Sequence, residues 1–469
     1  MQIKKEWMTM MAMAVMMFVS IGAACATGTD NTPAGEDRSG VVNLSGHLVQ
    51  EKIYLHGDGI FELNLALNAA QTPYDPHPMH KQVDIVLVLD RSGSMQGLKM
   101  QYAKKAVLNL IDLLSPQDRL SLVSYSDDVR RHCRLVRLTN ANKRMLRSMV
   151  HTVYAGGSTN LGGGLQTGIE TIMQTPQGTR IRKVILISDG LANRGIVSPW
   201  ELGRMASTAL EHDFAVATVG VGDSFNEQLM AHIADQGAGT YHYMENPDAF
   251  VAVFEHEFMT SRQVAATSLE VHIPKVQGVR LVSAGGFPMK AFADHYAVYP
   301  GNLLSGQTRK LFLRFQASAA SSESYTLEGI WIGYVSQGTF FREPLRKPFT
   351  IVWAQDESEV LSSIHKEAWE EKVLQEDYNR LREAVAADVK AGNENDAIQK
   401  IETYFQEKQA LNDKVQSKPV DQNLKEDVEE LKSMVRETFQ GSPAAVMQKQ
   451  KSNAKSLQYE GYKERRSKQ

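Results

Sequence analysis

Five oxygen-bearing side chains fall at three separate points of the 469-residue chain, and their types suit one chemistry. Asp90, Ser92 and Ser94 close the segment VDIVLVLDRSGSM. Thr159 lies in AGGSTNLGGGL, and Asp189 lies in KVILISDGLANRG. Two of the three segments are apolar runs that end abruptly in aspartate. In an open α/β sheet such strand ends lie along one edge, where ligands bind. Two carboxylates and three hydroxyls gathered there form a hard-oxygen cage for a divalent cation. Mg²⁺ is the default, and Mn²⁺ or Ca²⁺ suit the same donors.

The elements that must position these residues follow from hydropathy patterning. From Val83 onward, continuous apolar runs (VDIVLVLD, RLSLVSYS, KVILISDG, FAVATVGVG) alternate with amphipathic helical stretches such as KMQYAKKAVLNLIDLL. That alternation predicts a doubly wound, mostly parallel sheet covered on both faces. DVRRHCRLVRLT alternates and follows a strand closely, so it predicts an antiparallel edge strand guarded by its arginines. Residues 41–78 open with strand-type alternation, and residues 262–355 carry further short strands with turn-rich links. Together they predict a β-sandwich into which the α/β domain, residues 83–258, is inserted. Residues 356–469 read as helices. Leu361, Ile364, Ala368, Tyr378, Leu381, Val385 and Val389 form one stripe stopped by Gly392, and Leu424 to Phe439 form another after Pro419. The polar, basic end is expected to fray.

Composition narrows the function classes. A net charge of −3 without a long basic stripe excludes a nucleic-acid partner, and 22% charged with 42% hydrophobic residues excludes wholesale disorder. Lys4 and Lys5, the apolar run Met8–Ile21, and Gly22-Ala23-Ala24-Cys25-Ala26 predict an export signal over residues 1–26. Residues 27–40 follow as a polar tether. Cys25 stands where a bacterial lipoprotein is cleaved and acylated, so lipidation and a membrane anchor are one expectation; ordinary cleavage after Ala26 is the other. The protein is therefore expected in the periplasm or outside the cell. Cys133 is the other cysteine, so no disulfide framework exists, and it is expected to be buried and inert.

The order and context of the three segments resemble the von Willebrand factor A domain and its metal-ion-dependent adhesion site, with all five motif positions matched over residues 83–258. The resemblance implies a Rossmann-like fold. It also implies that Ser92, Ser94 and Thr159 bind the metal through hydroxyls, while Asp90 and Asp189 act directly or through water. A protein partner then supplies a carboxylate to the open position. Gly93, Gly156, Gly157 and Gly190 are expected to let the backbone turn tightly beside the ion. The layout is more loosely similar to bacterial envelope proteins with A domains and to inter-α-trypsin inhibitor heavy chains.

Two other readings use the same residues: a metal-dependent phosphate or ester hydrolase, and a structural envelope component with a vestigial site. Nucleophilic use of Ser92 or Ser94 needs a base, and His132, His151, His212, His232 and His242 show no triad spacing. His77 and His80 sit in a Pro-rich loop and read as polar linker. Gly162-Gly163-Gly164 lacks the Lys-Ser/Thr of a phosphate loop. Asp127 and Asp128, after LSLVSYS, either border the site or form a turn, and the turn is the expectation. Of the arginines after them, Arg130 and Arg134 alternate in face with Arg131 and Arg137 and read as a solvated edge. The expectation is a non-enzymatic binding protein, its partner's identity and its own oligomeric state left open by the sequence.

Overall fold

The computed structural model describes residues 40–71, 82–176, 178, 180–189, 191–222, 225–244, 263–318 and 324–466. The expected export signal with Cys25, nearly all of the tether, the His77/His80 loop and Gly190 lie outside them. Among the described residues no helix is long and apolar enough to cross a membrane.

The chain begins with β1 (Val42–Leu48), β2 (Lys52–Tyr54) and β3 (Ile60–Ala69). The inserted domain follows. Its strands are β4 (Val83–Asp90), β5 (Arg119–Tyr125), β6 (Val129–Arg131), β7 (Val136–Arg137), β8 (Ile181–Ser188), β9 (Ala215–Val221) and β10 (Ala238–Met244). Between them run α1 (Leu98–Leu113), α2 (Asn140–His151), α3 (Leu161–Met173), α4 (Pro199–Ala206), α5 (Thr208–Glu211) and α6 (Glu227–Gln236). The sheet order is β10-β9-β8-β4-β5-β6, with β7 also on β5. Strands β10, β9, β8, β4 and β5 are parallel, while β6 and β7 run antiparallel at the edge. Every residue of β4 is buried, as a central strand covered on both faces requires. Arg130, Arg131, Arg134 and Arg137 are exposed along the edge. Cys133 is half-buried, and burial pushes its thiol above the usual range.

The sandwich resumes with β11 (Val264–Pro274) and β12 (Val279–Ala284). Then come β13 (Met289–Ala291), β14 (His295–Val298), β15 (Leu303–Leu304), β16 (Thr308–Ala317), β17 (Ser324–Leu327), β18 (Trp331–Ser336), β19 (Thr339–Pro344) and β20 (Phe349–Ala354). One sheet runs β1-β3-β16-β12 and another β13-β14-β11-β18-β19, while β2 pairs with β20. All three strands before the inserted domain thus share a sheet with strands after it. A single core joins them, including Phe61, Leu63, Leu65, Val271, Leu313, Phe315 and Ile332.

The C-terminal region is helical but is divided differently from its apolar stripes. It contains α7 (Glu357–Ser362), α8 (Lys366–Glu371), α9 (Tyr378–Ala391), α10 (Glu394–Val415), α11 (Lys418–Lys425), α12 (Asp427–Thr438) and α13 (Pro443–Arg465). The first stripe breaks because residues 363–365 bond the β1–β2 link instead. His365 N–H donates to the Val49 carbonyl at 2.8 Å, Lys52 N–H donates to Ser363 Oγ at 3.0 Å, and Ile364 bridges Gln50. A π-helical turn, Lys372–Asp377, joins α8 to α9. Its Lys372 pairs with Glu62 on β3 at 3.0 Å, and Asn64 donates to the Ala368 carbonyl at 2.8 Å. These bonds satisfy polar groups that the helices bury on the outer face of β3. Gly392 ends α9 in the left-handed conformation, as its position after the stripe predicts.

The expected fraying of the basic end is wrong. Helix α13 runs to Arg465 and buries Lys455, Gln458, Tyr462 and Arg465. Its packing surface mixes Ala454, Leu457 and Tyr462 with charged and amide side chains, so apolar periodicity alone reveals it weakly. Lys455 Nζ donates to the Phe225 carbonyl at 2.9 Å and pairs with Glu227 at 3.1 Å. The Tyr462 hydroxyl donates to Asp235 at 2.8 Å, and Arg465 donates to Glu383 at 2.8 Å and to the Gly285 carbonyl at 2.5 Å. One helix therefore holds the inserted domain, the sandwich and α9 together.

Candidate functional site

The three segments meet at the C-terminal edge of the parallel sheet. Asp90 is the last residue of β4, and Asp189 directly follows β8, its parallel neighbour. Both carboxylates are fully buried. Ser92 N–H donates to Asp90 Oδ1 at 2.7 Å, and Ser188 Oγ donates to Asp90 Oδ2 at 2.8 Å. Ser92 Oγ lies 3.0 Å from Ser94 Oγ, which donates to Asp189 Oδ1 at 2.7 Å. Asp90, Ser92, Ser94 and Asp189 thus form one hydrogen-bonded row. Ser92 is buried and Ser94 is exposed, so the row opens to solvent at one end.

Thr159 is brought to the same loops by backbone bonds. Gly156 N–H donates to the Arg91 carbonyl at 2.8 Å and Gly93 N–H to the Gly157 carbonyl at 2.9 Å, lacing the first loop to the second. Thr159 N–H donates to Asn193 Oδ1 at 2.8 Å, and Asn193 N–H returns a bond to the Thr159 carbonyl at 3.2 Å. Thr159 itself is buried. Asn160 then caps α3 by accepting from Gly163 N–H. The N-termini of α1 and α3 both begin at this edge, which adds positive potential to it.

Burial pushes the Asp90 carboxyl above the usual carboxylate range, against the hydrogen bonds from Ser92 and Ser188, and the nearby Asp189 adds to the rise. Burial, with the charge of Asp90, also pushes the Tyr125 hydroxyl well above its ordinary value; it donates to the Ile187 carbonyl at 3.0 Å. An ionised buried carboxylate pair is stabilised by a cation, and the hydroxyls offer neutral oxygens beside it. The donor set therefore fits a hard divalent ion. Among the described residues no group of three or more His, Cys, Asp or Glu is placed to hold a metal ion, and the five residues here include only two carboxylates.

Of the glycines expected to shape the site, Gly157 is required. It has φ +84°, and a Cβ there would run into the Asp127 carboxylate. Gly93 and Gly156 are not: a Cβ at Gly93 would meet only the Gly157 carbonyl, at 3.4 Å, and one at Gly156 would meet open space. Gly157→Ala is expected to destabilise the protein by about 1–3 kcal/mol and to weaken metal binding, through displacement of the Thr159 loop. A melt and a metal titration of that variant check it; wild-type values in both would contradict the stated role.

Two residues that matter here, Asn193 and Lys99, escaped the reading of the sequence, and a third, Asp127, was expected chiefly to form a turn. Asp127 does more than form a turn: it accepts from Ser158 N–H at 3.2 Å, from Ser158 Oγ, and from Arg194 at 2.9 Å, fixing the loop before Thr159. Asn193 clamps Thr159 as described. Lys99 places its ammonium 2.5 Å from Asp189 Oδ2. Only Lys99 had a sequence signal, a cation in the first turn of a helix, where the dipole disfavours it. Of the histidines, His132 lies 2.8 Å from Ser124 Oγ, but Ser124 is buried, and burial together with Arg130 and Arg91 lowers the imidazole's basicity.

Residues 84–256 match the family model of the von Willebrand factor type A domain. The chain contains a von Willebrand factor A domain. An uncharacterized protein of Synechocystis sp. is 27% identical over 292 residues, covering 59% of this chain and 68% of the relative. Inter-alpha-trypsin inhibitor heavy chain H3 of Mus musculus is 29% identical over 164 residues, 33% of this chain and only 18% of that relative. A von Willebrand factor type A protein from Catenulispora acidiphila shares the fold with a TM-score of 0.67 at 16% identity, covering 91% of this chain and 98% of that one. That likeness extends well beyond the A domain, into the strands and helices around it.

Proposed function

We propose that the protein captures an acidic side chain of a partner protein through a divalent cation, Mg²⁺ by default, held at the A-domain edge. The observation that carries this reading is the row Asp90–Ser92–Ser94–Asp189, buried at its carboxylates and open at Ser94. Asp90, Ser92, Ser94, Thr159 and Asp189 are the residues that would hold the ion, with Asp90 and Asp189 direct or through water. A bound Mg²⁺ would offer a ligand carboxylate an electrophilic position, because three of the five protein donors are neutral. Asn193 and Asp127 hold the Thr159 loop, and Ser188 orients Asp90, so the oxygens need little rearrangement on loading.

The carboxylate that accepts from Ser94, Asp189, is itself neutralised by Lys99, which favours binding over hydrolysis. The export signal read in residues 1–26 puts the partner in the cell envelope or outside the cell, and acylation of Cys25 would tether the protein to a membrane. The deciding experiment is capture of partners on the immobilised full chain in Mg²⁺ and in excess chelator. Retention of a partner in Mg²⁺ and its release by chelator is the expected result. Equal retention in both would end this reading.

A further inference from the structure

We propose that Lys99 sets the charge of the metal site, trading metal affinity for a stronger hold on an anionic ligand. The inference rests on the metal-capture reading above and assigns its tuning to one side chain of this chain.

The two oxygens of Asp189 have different partners. Oδ1 accepts from Ser94 at 2.7 Å, on the row that faces the site, while Oδ2 holds the Lys99 ammonium at 2.5 Å. Lys99 therefore occupies the far oxygen and leaves the near one for the ion. Asp189 is fully buried, whereas the Lys99 side chain is about a third exposed.

The position of Lys99 is built into the fold. It is the second residue of α1, where the helix dipole works against a cation. Its stem passes Gly222, the residue after β9, whose φ is +69°. A Cβ at Gly222 would stand 3.3 Å from Lys99 Cε and 3.6 Å from Nζ. Gly222 is held in turn by its N–H bond to the Met244 carbonyl at 2.9 Å. A fourth loop, which supplies none of the five expected ligands, thus keeps the ammonium on Asp189.

The charge count gives the consequence. Asp90 and Asp189 contribute −2, and Lys99 returns +1, leaving −1 before loading and +1 with a divalent ion. The neighbouring charges are paired with each other: Arg91 with Asp128, and Arg194 with Asp127. Without Lys99 the same site would hold −2 and then 0. A more negative cage binds the cation more tightly, but a neutral loaded site attracts a carboxylate less.

The test uses the full chain carrying Lys99→Met or Lys99→Gln, both neutral, with Lys99→Arg as the charge-retaining control. MnCl₂ is titrated calorimetrically, and sodium acetate is then titrated onto the Mn²⁺-loaded protein, read by water-proton relaxation. The neutral variants should bind Mn²⁺ about tenfold more tightly and acetate about tenfold more weakly, with Lys99→Arg within about threefold of wild type. Mn²⁺ affinity that is unchanged or weaker in both neutral variants, with wild type binding normally, would overturn the role of Lys99 alone. Failure of the wild type to bind Mn²⁺ would overturn the metal reading beneath it as well. Melting curves in chelator show whether each variant is folded.

Discussion

Asp90→Asn is expected to weaken Mn²⁺ or Mg²⁺ binding by about a hundredfold or more while leaving the metal-free protein at least as stable as wild type. The side chain is buried at the end of the central strand, and it meets Ser92 N–H and Ser188 Oγ. Asparagine keeps the shape and can accept from one of them, but it removes the charge that the ion needs. Burial holds the wild-type carboxyl above its ordinary range. Folding therefore favours its protonated form, and that share of stability is present at acid pH and fades as pH rises through the folded value. The asparagine variant lacks this slope, so the two melting curves should converge at low pH and separate near neutrality. Calorimetric titration gives the first quantity and melts across pH in chelator give the second. Near wild-type metal affinity in the variant would remove Asp90 from the ligand set.

Glu227→Ala is expected to cost about 3–5 kcal/mol of stability. Glu227 is the first residue of α6, after the Asn226 cap, and is buried, as is its partner Lys455 on α13; the side chains are 4% and 3% exposed. The variant leaves the Lys455 ammonium buried beside the Phe225 carbonyl and ring without the carboxylate that neutralises it there. Lys390 also pairs with Glu227, at 2.6 Å, but it is half-exposed and recovers water when the acid is gone. The paired variant Glu227→Gln with Lys455→Met removes both buried charges and should lose much less, about 1 kcal/mol. Burial alone would raise the Glu227 pKa, yet Lys390 and Lys455 outweigh it and hold the value below the ordinary range. This stabilisation is therefore present at neutral pH and is lost as pH falls through the carboxylate range. Denaturant unfolding at pH 7 and at pH 4 measures both effects. A single-variant loss below about 1 kcal/mol at pH 7 would contradict the clasp.

The inserted domain was legible because its signals are local. Apolar runs such as VDIVLVLD and KVILISDG are what a parallel sheet covered on both faces demands, and their terminal aspartates mark its binding edge. The sandwich strands showed by alternation, although β13, β14, β15 and β19 are too short or too mixed in pattern to stand out. The C-terminal helices were legible as helices, as was the stop at Gly392, but the break at residues 363–365 was not. Residues 363–365 leave the helix because the β1–β2 link, more than three hundred residues earlier in the chain, offers them backbone partners.

By itself the sequence determined the kinds of oxygen available for a metal and the strand ends that carry them. Residue type and hydropathy period are properties of short segments, and those segments keep their meaning in the fold. Only the tertiary structure decided what surrounds those oxygens. Lys99, Asn193, Asp127 and Gly222 reach the site from four places whose nearness depends on sheet order. Helix α13 is likewise placed by Glu227, Asp235 and Glu383, charges on other elements. Ala454, Leu457 and Tyr462 give that face only a short apolar period, so its docking is specified largely by charged partners that no local pattern contains.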